Sequence, residues 1–527
     1  MRRMFNVMAG LLVAIPLALS LGACGSDNDD DDDGGVIAPP PPPPPAQRGD
    51  LLEKPAALVK TYTPTELTDL AGQNEAVGQA LIDLALSPKC TVSVHQLKYQ
   101  TVGAVGETAA ASGALMVPSG TDAACQGSRP VVLYAHGTSP DRAYNLANLA
   151  SGNAEAIAIA IVFAAQGYIV VAPNYVGYDT SSLTYHPFLV ADQQSKEMID
   201  ALKAGRSALP TTSAPAALDN GKLFLTGYSE GGYVAMATHR AMQAAGTTVT
   251  AAAPMSGPYA LSAFGDAIFR GQVSMSAPVN LTLLLNSYDT AYGDIYTNTT
   301  DVFETKYATG INTLLPSATA LPDLETQGKI TSDVVFSSTP PDPAFAPLTP
   351  AIDPPDLASV FAKGFGADFL ITNAYRLSYL QDAQTAPDGG FPTKTDGLPP
   401  ANPTHALRRA LKINDLRNWA PTAPVLLCAG SQDPTVFYLN TQLIADYWAA
   451  TAPTASVAVL NVDAAPDSGD PYANIKTGFQ AAKDLVRTAA VVSGASDGGD
   501  EAVFDAYHAA LVPPFCMGAV KSFFDAR

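Results

Sequence analysis

Gly227-Tyr228-Ser229-Glu230-Gly231-Gly232 lies between a short apolar run, Leu223-Phe224-Leu225-Thr226, and an alanine-rich stretch from Tyr233 to Ala245. The apolar run reads as a buried strand, and the alanine-rich stretch as a helix packed closely on a neighbour. Between them one serine sits in the spacing G-x-S-x-G. A serine hydroxyl is a weak nucleophile, so it must be held exposed and within reach of a base. A sharp turn does this, at the cost of strained geometry at Ser229. It also brings strand and helix together, so Gly227 and Gly231 carry no side chains to clash. The helix begins beneath the reacting carbon, with free N–H groups facing a developing oxyanion. A plain glycine turn before a helix gives the same short motif, so the rest of the chain decides.

Outward from this stretch, strands and helices alternate. Arg129-Pro130-Val131-Val132-Leu133-Tyr134-Ala135 reads as a buried strand that runs into His136-Gly137-Thr138. Ser151 to Gln166 reads as a helix stopped by Gly167, and Tyr168-Ile169-Val170-Val171-Ala172 as a second buried strand ending in Pro173-Asn174-Tyr175. Val190 to Ala208 reads as a helix, and Ala251 to Met255 as the next strand. This alternation predicts an α/β fold, a mostly parallel sheet with helices on both faces. Ligands in such sheets bind beyond the carboxyl ends of the strands, where His136-Gly137-Thr138 and Ser229 both fall.

The His-Gly turn, the Gly167-to-Tyr175 run and the Gly-Tyr-Ser-Glu-Gly-Gly elbow together resemble the α/β-hydrolases. The resemblance covers about 130–260 and 420–527. A narrower similarity, in the elbow, the long insertion and the export signal, is to secretory lipases and their bacterial lipoprotein esterase relatives. It implies a helical lid after the Ala251–Met255 strand. From Leu261 to Arg417 the pattern is helical with proline-rich breaks, and Pro278–Tyr288, Asp301–Leu315, Leu357–Gln381 and His405–Leu416 are candidate helices. The core then divides into 51–260 and 418–527, with the lid at 261–417.

After the insertion comes a buried strand, Pro424 to Gly430, then Ser431-Gln432-Asp433-Pro434-Thr435-Val436. This resembles the loop that carries the triad acid in these hydrolases, which makes Asp433 the acid. The family's triad runs Ser, acid, His along the chain. Of six histidines, His508 alone lies after Asp433. His95 falls on an N-terminal strand and His239 in the elbow helix. His186 and His405 read as surface or pocket-wall residues, and His136 belongs to the oxyanion turn. The catalytic set is therefore Ser229, Asp433 and His508, with His508 just before a C-terminal helix, Ala509 to Phe524. The backbone N–H groups of Glu230 and Thr138 are the expected oxyanion donors. About 45 residues separate the last strand, Ala455 to Val462, from His508, more than is usual in the family.

The ends add a destination. Residues 1–24 have a basic start, an apolar run from Leu11 to Leu21 and the ending Leu21-Gly22-Ala23-Cys24, the outline of an export signal. The ending resembles a bacterial lipobox, which implies lipidation at Cys24 and a lipid anchor in a membrane; Gly25 favours the outer membrane. Six aspartates between Asp27 and Asp33, then prolines from Pro39 to Pro45, read as a tether over 25–50 that cannot fold alone. Five cysteines leave four after Cys24, and export favours disulfides. Of three possible pairings, Cys90–Cys125 is preferred because it would close the strands Thr91–Thr101 and Thr108–Val117 into one unit, leaving Cys428–Cys516.

A net charge of −20 without basic clusters argues against nucleic acid as a partner. No metal-ligand spacing, phosphate loop or nicotinamide fingerprint occurs, and the mechanism requires no cofactor. The expected substrate is a small-molecule or lipid ester. Two alternatives stand beside this reading. One is a serine peptidase of the prolyl-oligopeptidase type, which would need a repeat-built second domain. The other is a non-catalytic binding lipoprotein on a hydrolase scaffold.

Overall fold

The computed structural model describes residues 45–73, 86–209, 219–388 and 398–527. The expected export signal, Cys24 and the tether up to residue 44 lie outside the described residues. The folded unit takes in Ala46 onward. Residues expected in the tether already bind it: Arg48 pairs with Asp200 at 2.9 Å, and the Gly49 N–H donates to the Gln100 carbonyl at 2.7 Å.

A nine-stranded sheet runs through this unit. Its strands in chain order are β1 (Ala57–Tyr62), β2 (Thr91–Val102), β3 (Thr108–Ser119), β4 (Arg129–Ala135), β5 (Ile169–Pro173), β6 (Asp219–Tyr228), β7 (Ala251–Met255), β8 (Val425–Ala429) and β9 (Val457–Asn461). Their spatial order is β1-β2-β3-β5-β4-β6-β7-β8-β9. The pairs β1–β2, β2–β3 and β3–β5 are antiparallel, and all the others are parallel. The inner parallel strands β5, β7 and β8 are buried along their length because helices cover both faces. The order reverses at β4, which has β5 on one side and β6 on the other. Ala135 lies opposite Gly227 in that pairing, so the turns after β4 and β6 open side by side.

Core packing forms two large clusters, one on each face of the sheet. Both expected disulfides are present. Cys90–Cys125 and Cys428–Cys516 have Cα separations of 5.5 Å and 5.6 Å.

Between β7 and β8 the chain is largely helical, with differences from the expected helices. Ala277–Tyr292 and Ala406–Asn414 agree with two of them, and Leu261–Phe269 precedes them. The expected helix Asp301–Leu315 is instead three short turns, because Glu304 (ψ 144°) and Thr309 (ψ 109°) are extended and Gly310 adopts a left-handed φ of 78°, which interrupt the helical path. The expected helix Leu357–Gln381 divides into Ala358–Lys363 and Asn373–Thr385. Gly364 ends the first, Phe365–Gly366 pairs with Phe336–Ser337, and the Thr372 side chain caps the second by accepting the Tyr375 N–H. A helix, Ala473–Val492, fills much of the stretch after β9, and the C-terminal helical run begins at Asp500 and includes His508.

Two measurements follow. Cys428–Cys516 bridges residues 88 apart, so the double variant Cys428→Ser/Cys516→Ser should unfold with about 2–5 kcal/mol less stability, read by denaturant titration. Glu197, on the buried face of the helix Ala191–Ala208, has its pKa raised by burial from 4.5 to about 7. A carboxyl raised on folding favours the folded state below its unfolded pKa, and that contribution is lost as pH rises through the folded one. Glu197→Gln should therefore raise stability by up to about 3 kcal/mol above about pH 7 and change it little near about pH 4.

Candidate active site

Ser229 sits between β6 and the helix Glu230–Ala244 with φ 59° and ψ −123°, a strained backbone conformation for a residue with a side chain. Surrounding packing fixes it. The Ser229 N–H donates to the Met255 carbonyl at 3.0 Å. A Cβ on Gly231 would stand 2.0 Å from the Ala135 carbonyl oxygen, so only glycine lets the helix approach β4 this closely.

The structure brings Ser229, His508 and Asp433 together. His508 Nε2 is 2.8 Å from Ser229 Oγ, and His508 Nδ1 is 2.7 Å from Asp433 Oδ2. Asp433 is buried, and its other oxygen accepts the backbone N–H groups of Thr435 at 2.9 Å and Val436 at 3.0 Å. These contacts fix the carboxylate's orientation. They also satisfy it as an anion that can hold a proton on Nδ1 and leave Nε2 as the acceptor facing the hydroxyl.

His508 lies inside a helical run, correcting its expected place just before one. Tyr507–Leu511 form a π-helical turn, with the Val512 N–H donating to the Tyr507 carbonyl. Pro513 and Pro514 explain it. Proline has no N–H, and its ring clashes with the carbonyl four residues back, which disfavours an α register over Ala509 and Ala510. In the π register the His508 carbonyl would need the N–H of residue 513, which proline lacks. The Tyr228 hydroxyl fills the place, donating to that carbonyl at 2.6 Å. On the other side, the Tyr507 hydroxyl donates to Asp463 at 2.6 Å and accepts the Gln432 N–H at 3.1 Å. The long chain between β9 and His508 therefore supplies a helix that is hooked to the sheet at both sides of the histidine.

The turn His136-Gly137-Thr138 stands beside Ser229. Glu155, on the helix Ala154–Val162, holds it. Its carboxylate accepts the Gly137 N–H at 3.1 Å, the Tyr134 hydroxyl at 2.8 Å and the Tyr144 hydroxyl at 2.6 Å. The His136 ring is buried, its pKa lowered by burial, and it stacks on Tyr175 at 4.1 Å. With Gly137 committed to Glu155, the next N–H, that of Thr138, remains for a ligand. Among the described residues, no hydrogen bond engages the N–H of Thr138 or of Glu230.

His186 corrects its expectation as a surface or pocket-wall residue. It is buried beneath the elbow, with Nε2 2.6 Å from Glu230 Oε1 and Nδ1 3.1 Å from the Val176 carbonyl. Gln194 also donates to Glu230, at 2.7 Å. His239 is buried against Trp419, and burial takes its pKa down to about 4. The sequence reading passed over Tyr228 and Glu155, and placed His186 at the surface or pocket wall. Tyr228 carried the one available signal, adjacency to Ser229; the others act through contacts distant in the chain. Among the described residues, no three His, Cys, Asp or Glu side chains gather to hold a metal.

Two cavities meet at Ser229, of about 390 Å³ and about 60 Å³. Thr138, Ser229 and Asn280 line both. Asn280 comes from the helix Ala277–Tyr292 of the inserted segment.

The sheet order and its helical layers define the class of fold: the chain has the α/β-hydrolase fold. No family model and no curated protein matches it in sequence. Among solved structures, it is similar to the rice cell wall degrading esterase LipA from Xanthomonas oryzae. The two share 25% identity over 85% of this chain and 100% of that one, with a TM-score of 0.60. It is also similar to a hydrolase candidate from Legionella pneumophila at 17% identity, over 90% and 97% of the two chains, with a TM-score of 0.60. Candida antarctica lipase A aligns at 12% identity over 78% and 76%, with a TM-score of 0.45.

The π-turn carries its own test. Tyr228→Phe leaves the His508 carbonyl without a donor and should lower stability by about 1–3 kcal/mol, read by thermal unfolding.

Proposed function

We propose that this protein is a serine hydrolase of carboxylic esters. The observation that supports it most is the continuous hydrogen-bonded line Ser229–His508–Asp433, at 2.8 Å and 2.7 Å. The likeness to an esterase at 25% identity along its whole length supports the same chemistry.

In this reading Ser229 Oγ attacks the ester carbonyl as His508 Nε2 takes its proton. Asp433 stabilises the imidazolium through Nδ1–H. The carbonyl oxygen becomes an oxyanion held by the N–H groups of Glu230 and Thr138, each worth about 10²–10³ in rate. His508 then gives its proton to the departing alcohol, leaving an acyl group on Ser229. A water molecule enters, His508 takes one proton from it, and hydroxide attacks the acyl carbon. Collapse returns the proton to Ser229 and releases the carboxylic acid. The tethering of Gly137 by Glu155 keeps the second oxyanion donor in place before substrate arrives.

The inserted segment, 261–417, is proposed as the lid that walls the site from water. Export through the 1–24 signal and lipidation at Cys24 for attachment to the outer membrane, with the part of the expected 25–50 tether that precedes Ala46 as the spacer, complete the proposal, with a small-molecule or lipid ester as substrate.

Hydrolysis of p-nitrophenyl esters by the full-length protein tests it, beside Ser229→Ala. The wild type should turn over at least one ester, and the variant should lose about 10⁶ in kcat with an unchanged melting temperature. A folded wild type inactive on every ester, or a variant as active as wild type, would overturn the reading.

A further inference from the structure

The two cavities at Ser229 are unequal, and His508 lines only the larger. That asymmetry assigns them. The imidazole that takes the Ser229 proton must deliver it to the departing alcohol oxygen, so the alcohol leaves on the side His508 faces. The acyl chain is then directed to the other side, where Glu230, the residue after the nucleophile, forms part of the wall.

We infer that the smaller cavity takes the acyl chain and the larger the alcohol, so that the substrate class is short-acyl esters of a bulkier alcohol; this rests on the ester-hydrolase reading above. The smaller cavity is walled by apolar side chains, among them Leu261, Phe264, Ile268, Leu281, Leu284 and Leu411. An uncharged hydrocarbon chain suits it. At about 60 Å³, against about 390 Å³ for its neighbour, it has room for the shorter of the two chains. The larger cavity has more than six times that volume, and the polar groups of Glu155, Ser276 and Thr435 are spread among its apolar walls. It suits an alcohol with both hydrocarbon and polar parts.

The small cavity is also held at its size. Two of its wall helices, Leu261–Phe269 and Ala406–Asn414, are clamped by Arg408. Its Nε and Nη2 reach the two oxygens of Asp266 at 2.9 Å and 2.8 Å, and its Nη1 reaches Asp382 at 2.7 Å. The Tyr379 hydroxyl adds a bond to Asp266 at 2.9 Å. All four side chains are buried, so widening the cavity would separate charges inside the protein.

The test uses the full-length protein and two substrate series. One varies the acyl group of p-nitrophenyl esters from acetate to palmitate, and the other varies the alcohol of butanoate esters. Labelling of Ser229 by a fluorophosphonate is read alongside. The inference expects kcat/KM to fall about tenfold or more beyond hexanoate, while butanoates of larger alcohols are cleaved well. Leu284→Ala should move the fall to longer acyl chains, and Ile268→Phe to shorter ones. Met517→Phe, on the larger cavity only, should change the ranking of alcohols and not of acyl groups. Palmitate cleaved as well as butanoate, or an acyl ranking that follows Met517→Phe rather than Ile268→Phe, would overturn the partition while leaving the hydrolase reading intact. No cleavage of any ester, with Ser229 unlabelled in folded protein, would overturn the hydrolase reading and the partition with it.

Discussion

Everything in the site depends on how closely three backbones approach at one crossing. The elbow helix, β4 and β6 meet where a Cβ on Gly231 would stand 2.0 Å from the Ala135 carbonyl oxygen and one on Gly227 2.4 Å from the Gly231 carbonyl oxygen. No other residue type fits both positions. The approach leaves Ser229 at the apex of the turn and puts the His136-Gly137-Thr138 turn next to it. Position 229 and two unengaged N–H groups are thus placed by backbone geometry before any side chain is chosen. The strain at Ser229, about 1–3 kcal/mol, is sustained by packing on both faces of the sheet.

His508 is positioned by a different device. A histidine within a regular α-helix has little freedom to be aimed, because its carbonyl and N–H are committed to the ladder. Pro513 and Pro514 break that commitment, and the resulting π-turn is refastened by two tyrosines, Tyr228 from the nucleophile's own strand and Tyr507 from the turn itself. The strand that leads into Ser229 and the helix that carries His508 are therefore joined by the Tyr228 bond as well as by the Ser229–His508 contact.

Much of this was legible in the sequence, and the reason is local. The elbow, the apolar strands and the loop at Asp433 each announce themselves within a few residues, through glycine spacing or continuous hydrophobicity. His508 was reachable by chain order once the fold was suspected. Both disulfides agree with the preferred pairing. The rest depended on contacts across long separations. Nothing near His186 shows that it lies under Glu230, and nothing near Glu155 shows that three donors converge on it. The π-turn had a local sign, the paired prolines after His508, which fall inside the expected helix Ala509 to Phe524 rather than at its start. In the inserted segment, apolar periodicity ran through Gly310 and Gly364 as though the helices continued, because the pattern of buried side chains persists where the backbone path does not.

The Cys428–Cys516 bond has a consequence for the relay. Cys428 precedes Asp433 by five residues, and Cys516 follows His508 by eight. The acid and the base, far apart in the chain, are thus carried on segments joined covalently a short distance behind the site. Relative sliding of β8 and the last helix, the motion that would most readily lengthen the Asp433–His508 contact, is resisted by a bond rather than by packing alone. Oxidation of these two thiols thus ties the carrier of the carboxylate to the carrier of the imidazole.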